Sequence, residues 1–243
     1  MPRKTPDQKS GVFLWAEFLL LFGGGPLLVL WLRRPGVLFL VLWVGGVVCY
    51  RLSRPALPAP KPDLRTILRR LALIAPFGIG LLLVLVTAGL PTRRDLEIRR
   101  ILLRFLLLGG ALTILTWFLL PGLFLTLPRE RPILWVAILV LYPLLSVWPQ
   151  EVIFRRFLFH RYEGLFGAAG VVAASAFAFG FAHVIFLNPF AVVLTAAGGA
   201  MFAANYTRNR DLGLCCLEHS LYGCLVFTIG LGRFFYTGAA WHH

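Results

Sequence analysis

Along this chain the apolar residues gather into continuous runs of about twenty, separated by clusters of Arg, Pro and Gly. The runs cover 12–32, 36–50, 71–90, 101–127, 132–161, 166–187, 189–206 and 212–232. The first is interrupted at Gly23, Gly24, Gly25 and Pro26, where a break is expected. It extends well past the core of a signal peptide and carries no small-residue cleavage site, so it reads as a first membrane helix. A segment that crosses lipid must satisfy its own backbone hydrogen bonds, which makes each run a helix. A membrane β-barrel would need apolar and polar residues in alternation, and these runs have none. The pattern therefore predicts an all-α fold, a polytopic membrane helix bundle of about eight transmembrane helices.

The polar punctuation divides the bundle. Residues 1–131 hold four apolar spans and a Pro/Arg-rich linker, 51–70, whose Pro55, Pro58, Pro60 and Pro62 exclude a continuous helix. The stretch from Pro91 to Arg100 reads as a charged surface segment. Residues 132–243 hold the other four spans, which are richer in Ala and Gly and carry the polar motifs. Small residues let helix backbones approach closely within a membrane. The C-terminal four spans are thus expected to form a catalytic-type core, with the first four packed around it toward lipid.

Composition agrees. Of 243 residues 59% are hydrophobic and 14% charged, against about 25% charged in soluble domains. The net charge of +14 sits in pairs at the ends of runs, such as Arg33-Arg34, Arg69-Arg70 and Arg155-Arg156. Such pairs suit anionic lipid headgroups, and no basic-aromatic face for nucleic acid is present. Lys and Arg divide evenly between the two sides of an eight-span arrangement, so they do not orient it. Cys49, Cys215, Cys216 and Cys224 lie within apolar runs with no disulfide or metal spacing and read as packing residues.

Ionisable residues inside a membrane are functional candidates by default. Glu151 and Arg155 are four apart after Pro149 and Gln150, which places them on one helix face. His183 follows Phe179 by four. His219 adjoins Glu218, and the two point about 100° apart, so Glu218 is expected to bond a neighbouring helix or an arginine, Arg208 or Arg210. His160, nine residues from Glu151, falls half a turn out of phase and reads as interfacial. One carboxylate and two imidazoles from three helices are the set that activates water. Glu151, His183 and His219 are also a possible ligand set for a divalent metal such as zinc, although none is required.

These elements resemble the CPBP intramembrane proteases, the group that includes the CAAX prenyl endopeptidases and the bacteriocin-processing membrane proteins. The family pattern is Glu-Glu-x-x-x-Arg, then Phe-x-x-x-His, then His-x-x-x-Asn, each on its own helix. Here it appears as Gln150-Glu151-Val-Ile-Phe-Arg155, Phe179-Gly-Phe-Ala-His183 and His219-Ser-Leu-Tyr-Gly223. The resemblance covers roughly 132–232. It implies an endopeptidase in the membrane, acting near the C-terminus of a membrane-attached protein or peptide, with lipids as its other partners. A bacterial inner membrane location follows from the same resemblance. The stretch around Glu218-His219-Ser-Leu-Tyr-Gly-Cys is similar to a subgroup paired with C-terminal sorting signals. Arg155, Phe179, His183 and His219 match the pattern, and two positions depart from it. Gln150 stands where the first glutamate is expected, and its amide cannot accept a proton at neutral pH. Gly223 stands in place of Asn. Glu151 is then the candidate base or carboxylate partner, and Tyr222 a candidate hydroxyl in place of the missing amide. The runner-up is a family member without proteolytic activity that binds or shields a membrane peptide. A transport path is disfavoured, because the polar residues occupy one half of the chain without an inverted repeat.

Overall fold

The computed structural model describes residues 8–53 and 93–235, and all of its regular structure there is helical. The expected third span at 71–90 and the linker from residue 54 onward lie outside the described residues. Helix α1 covers 8–32, α2 Pro35–Leu52, α3 Arg93–Leu119 and α4 Thr126–Glu130. Then come α5 over 132–166, α6 over 168–182, a 3-10 turn His183–Phe186, α7 Pro189–Asn209, α8 Leu212–Thr228 and a 3-10 turn Leu231–Phe235.

Among the described residues, four helical stretches are long and apolar enough to cross a membrane: Gly11–Leu32, Arg93–Leu119, Pro132–Phe186 and Pro189–Asn209. Gly36–Leu52 and Leu212–Thr228 are shorter apolar helices. The stretch Pro132–Phe186 has 55 residues, far more than the roughly 20 that span one hydrocarbon layer. Gly167 divides it, with φ 72° and ψ 176°, a conformation that a side chain would strain. Large apolar side chains face outward, among them Trp31 at 78% and Ile133 at 87% exposure. In water such a surface would be untenable, and in lipid it is what packing requires. The chain is an integral membrane protein.

One local expectation changes, and one segment gains a secondary structure. The first run does not break at its glycines. A π-helical turn, Leu20–Gly24, carries the helix through, with Gly25 N–H bonded to Leu20 O, and Pro26 falls in the first turn of the next α segment. The charged stretch after Pro91 is helical from Arg93, and its Glu97 pairs with Arg100.

Contacts divide the chain into one unit of residues up to Ser53 together with Phe105 onward, and a second unit, Arg54–Arg104, described over Arg93–Arg104. Polar ties join α1 and α2 to α5. Arg161 holds Glu17 with two hydrogen bonds of 2.9 and 2.8 Å, and Tyr162 donates to the same carboxylate at 2.8 Å. Arg156 Nε donates to Ser53 O at 3.1 Å and lies over the Tyr50 ring.

Proline shapes α5. Two π-helical turns, Pro143–Val147 and Val152–Phe157, flank the short α segment Trp148–Glu151. Pro149 has no N–H for the carbonyl four residues back, Leu145. Trp43 of α2 supplies the missing donor, its Nε1 reaching Leu145 O at 2.9 Å. A Trp43→Phe variant is expected to lose about 1–3 kcal/mol by leaving that carbonyl without a donor. The check is the thermal unfolding midpoint in detergent, which should fall below that of the wild type.

Small residues bring α6 and α7 together. A Cβ on Gly180 would lie 2.6 Å from Ala196 Cβ, so glycine there is a condition of the contact. Asn188 caps α7, accepting from Phe190 N–H, with Pro189 in the first turn, and Asp211 caps α8 by accepting from Leu214 N–H. These caps set the starts of α7 and of α8, the helix that carries His219.

Candidate active site

The polar side chains that should avoid lipid meet inside this bundle. Glu151 and Arg155 come from the bent middle of α5, His183 from the end of α6 and His219 from α8. Glu151 and Arg155 are fully buried, and His219 nearly so. His219 Nδ1 donates to Glu151 Oε1 at 2.9 Å, joining two helices 68 residues apart in sequence. Arg155 Nε stands 3.3 Å from Glu151 Oε2. The guanidinium also donates to Ser175 Oγ at 2.9 Å, and Ser175 donates to the Phe154 carbonyl at 2.7 Å, inside the second π turn. Two aromatic rings wall the arrangement. Arg155 lies over Phe179 at 4.8 Å and Phe202 at 5.7 Å, and His219 stacks on Phe202 at 4.9 Å.

His183 is placed differently. Its Nδ1 donates to the Phe179 carbonyl at 2.7 Å, which leaves Nε2 as an acceptor. The ring is half-buried and packs against Phe179, with centroids 4.8 Å apart. His219 meets the edge of the same Phe179 ring at 5.4 Å. The two imidazoles thus flank one phenyl ring. Among the described residues, no three His, Cys, Asp or Glu side chains are grouped to share a cation. Both nitrogens of His219 have partners, and Nδ1 of His183 is committed to a carbonyl. The Glu151, His183 and His219 side chains as placed therefore do not fit a bound metal.

Gln150 does not join the site. Its Nε2 donates to Ser146 Oγ at 2.7 Å and its Oε1 has no hydrogen-bond partner. Tyr222 packs its ring on Phe105 and Phe202. Glu218, fully buried, accepts from Asn205 Nδ2 at 2.7 Å, and Asn209 donates to Asn205 Oδ1 at 2.8 Å. Arg210 pairs with Glu163 at 2.5 Å. His160 is exposed.

One polar contact was not foreseen. The hydroxyl of Tyr142, at the end of the first α segment of α5, lies 3.0 Å from His219 Nε2. Tyr142 precedes Glu151 by nine residues. On a regular helix that spacing is half a turn out of phase. The π turn Pro143–Val147 takes up the extra residue between them, and both side chains reach His219. The signal available in sequence was the pair Pro143 and Pro149, which marks a distorted helix without specifying its bonding. Ser175 and Phe202 likewise sit in small-residue runs where nothing singles them out.

Residues 131–225 match the model of the Rce1-like family, described as type II CAAX prenyl endopeptidase Rce1-like. No curated protein and no solved structure matches the chain. The matched segment contains every residue of the arrangement described above, from Tyr142 to His219. Through residues 131–225, then, the chain is similar to a protease family, the Rce1-like type II CAAX prenyl endopeptidases.

Proposed function

We propose that this protein is an intramembrane endopeptidase that hydrolyses a peptide bond near the C-terminus of a membrane-attached protein. The observation that carries the reading is the buried hydrogen bond between Glu151 and His219, formed between two helices within the family-matched segment. A carboxylate and an imidazole are costly to bury in lipid. Their pairing beside a second histidine whose Nε2 is an acceptor supplies what hydrolysis needs.

The roles follow from the bonds. One oxygen of Glu151 accepts from His219 and the other is ion-paired with Arg155, so the carboxylate acts as a partner that holds His219. His183 offers Nε2 to the attacking water, orients it and takes its proton. His219 stabilises the oxyanion of the tetrahedral intermediate, with the Glu151 charge supporting its protonated form. Arg155 fixes Glu151. These side chains carry the chemistry alone, and the substrate approaches within the membrane. The location is a bacterial inner membrane.

Gln150 favours one other reading, a peptide-binding protein without proteolysis, because the position ahead of Glu151 holds no base. The test is a cleavage assay in detergent on a peptide tethered through its C-terminal region. The wild type is expected to cleave, and His183→Ala to lower the rate by about 10²–10⁴-fold. A wild type that leaves the peptide intact, together with a Gln150→Glu variant that cuts it, would establish the binding reading instead.

A further inference from the structure

We infer that Tyr142 is the positioning residue of His219, and that its hydroxyl does what a polar side chain at position 223 would otherwise do. Three observations converge on it. The Tyr142 hydroxyl stands 3.0 Å from His219 Nε2, the one ring nitrogen that Glu151 does not hold. The tyrosine ring is fixed between aromatic neighbours, edge-on to His219 with centroids 6.0 Å apart and to Phe227 at 5.5 Å. Position 223 is glycine because this ring fills its space. A Cβ there would lie 2.3 Å from Tyr142 Cε1 and 2.6 Å from its hydroxyl oxygen.

Position 223 is one helical turn beyond His219, so a side chain there shares the face of α8 that carries the imidazole. An asparagine at 223 would reach the same space from α8 itself. Here the polar group arrives from α5, across the bundle, and glycine makes room for it. The amide missing at position 223 and the hydroxyl supplied by Tyr142 thus contend for one space beside His219.

The hydroxyl suits the task because it both donates and accepts. With His219 neutral, Nδ1–H donates to Glu151 and the Tyr142 O–H donates to Nε2. With His219 protonated, Nε2–H donates and the Tyr142 oxygen accepts. Tyr142 thus holds the ring in one orientation through both states of a proton cycle. Phenylalanine would hold it in neither.

The activity arm of the test rests on the hydrolytic reading, so it is run beside a measurement that does not. In full-length protein in detergent, ¹⁵N signals of labelled histidines report the tautomer and hydrogen bonding of His219. Tyr142→Phe is expected to shift the His219 Nε2 signal and to lower kcat by about ten- to a hundredfold with KM unchanged. Tyr142→Ala should be at least as impaired. Adding Gly223→Asn to Tyr142→Ala should restore part of the rate, whereas adding Gly223→Leu, which fills the same space without an amide, should restore stability alone. Equal recovery by leucine and asparagine would reduce Tyr142 to packing and overturn the inference. So would a Tyr142→Phe protein whose His219 signals match the wild type. If the wild type itself does not cleave, hydrolysis is lost as a function, and the nitrogen signals still decide the role of Tyr142.

Discussion

Glu151→Gln is expected to reduce peptide cleavage by about 10²–10⁴-fold, with a lowered thermal midpoint because buried Arg155 loses its counter-charge. The substitution keeps size and shape, removes the charge and changes which atoms donate. The carboxylate now accepts from His219 Nδ1 with one oxygen and faces the Arg155 guanidinium with the other. An amide has one oxygen and one NH₂ group. The guanidinium has no acceptor to offer, so the amide oxygen must turn to Arg155 and the NH₂ toward His219. Nδ1 then has to accept, and the proton moves to Nε2. The imidazole that had its acceptor toward Tyr142 now presents a donor there. An isosteric change thus inverts the polarity of the histidine, and the stabilisation of its protonated form is lost with the charge. The measurement is kcat on the tethered peptide alongside a thermal midpoint. A variant that cleaves at the wild-type rate would remove Glu151 from the mechanism.

What could be read from sequence was whatever depends on composition and regular spacing. Long apolar runs specify helices in lipid whatever surrounds them, so the all-α membrane architecture was legible from the runs alone. Glu151 and Arg155 stand four apart, and they meet at 3.3 Å even though π-helical bonding begins between them. The gap between the fifth and sixth apolar runs lies within a few residues of Gly167, at which the helix divides. What could not be read was whatever depends on departures from 3.6 residues per turn. The phase argument that sets His160 outside the site is sound for His160, which is exposed. The same argument would also have discarded Tyr142, equally distant from Glu151 on the other side. Two prolines bracket that interval, and a π turn within it changes the phase. The uninterrupted first helix has the same cause, since another π turn carries it across Gly23 and Gly24. Proline and glycine announce that a membrane helix will deviate, while the choice between a break and a π turn is made by neighbours, such as Trp43 at the Leu145 carbonyl, that lie far away in sequence.

Arg155→Ala is expected to cost about 3–5 kcal/mol of folding stability, the largest structural effect of any single substitution at the site. Arg155 is fully buried, as is the carboxylate it faces. Its guanidinium also donates to Ser175 and lies over two aromatic rings, so three kinds of contact are lost together. Alanine leaves the Glu151 carboxylate held by His219 alone and opens a cavity beneath Phe179. Since domains are stable by about 5–15 kcal/mol in total, a large share of such a protein would unfold or fail to insert. Removing both members of the pair is a different matter. A buried ion pair replaced by apolar residues of similar volume is often no less stable, because neither charge then needs compensation. Glu151→Leu combined with Arg155→Met should therefore melt closer to the wild type than Arg155→Ala does, and should show no cleavage. Thermal unfolding of the three proteins in one detergent separates the outcomes. An Arg155→Ala midpoint equal to that of the wild type would mean that the guanidinium does not compensate the Glu151 charge. The ion pair would then contribute to neither the fold nor the placement of the carboxylate, and the hold on His219 would have to come from Tyr142 and the stacked Phe202 ring.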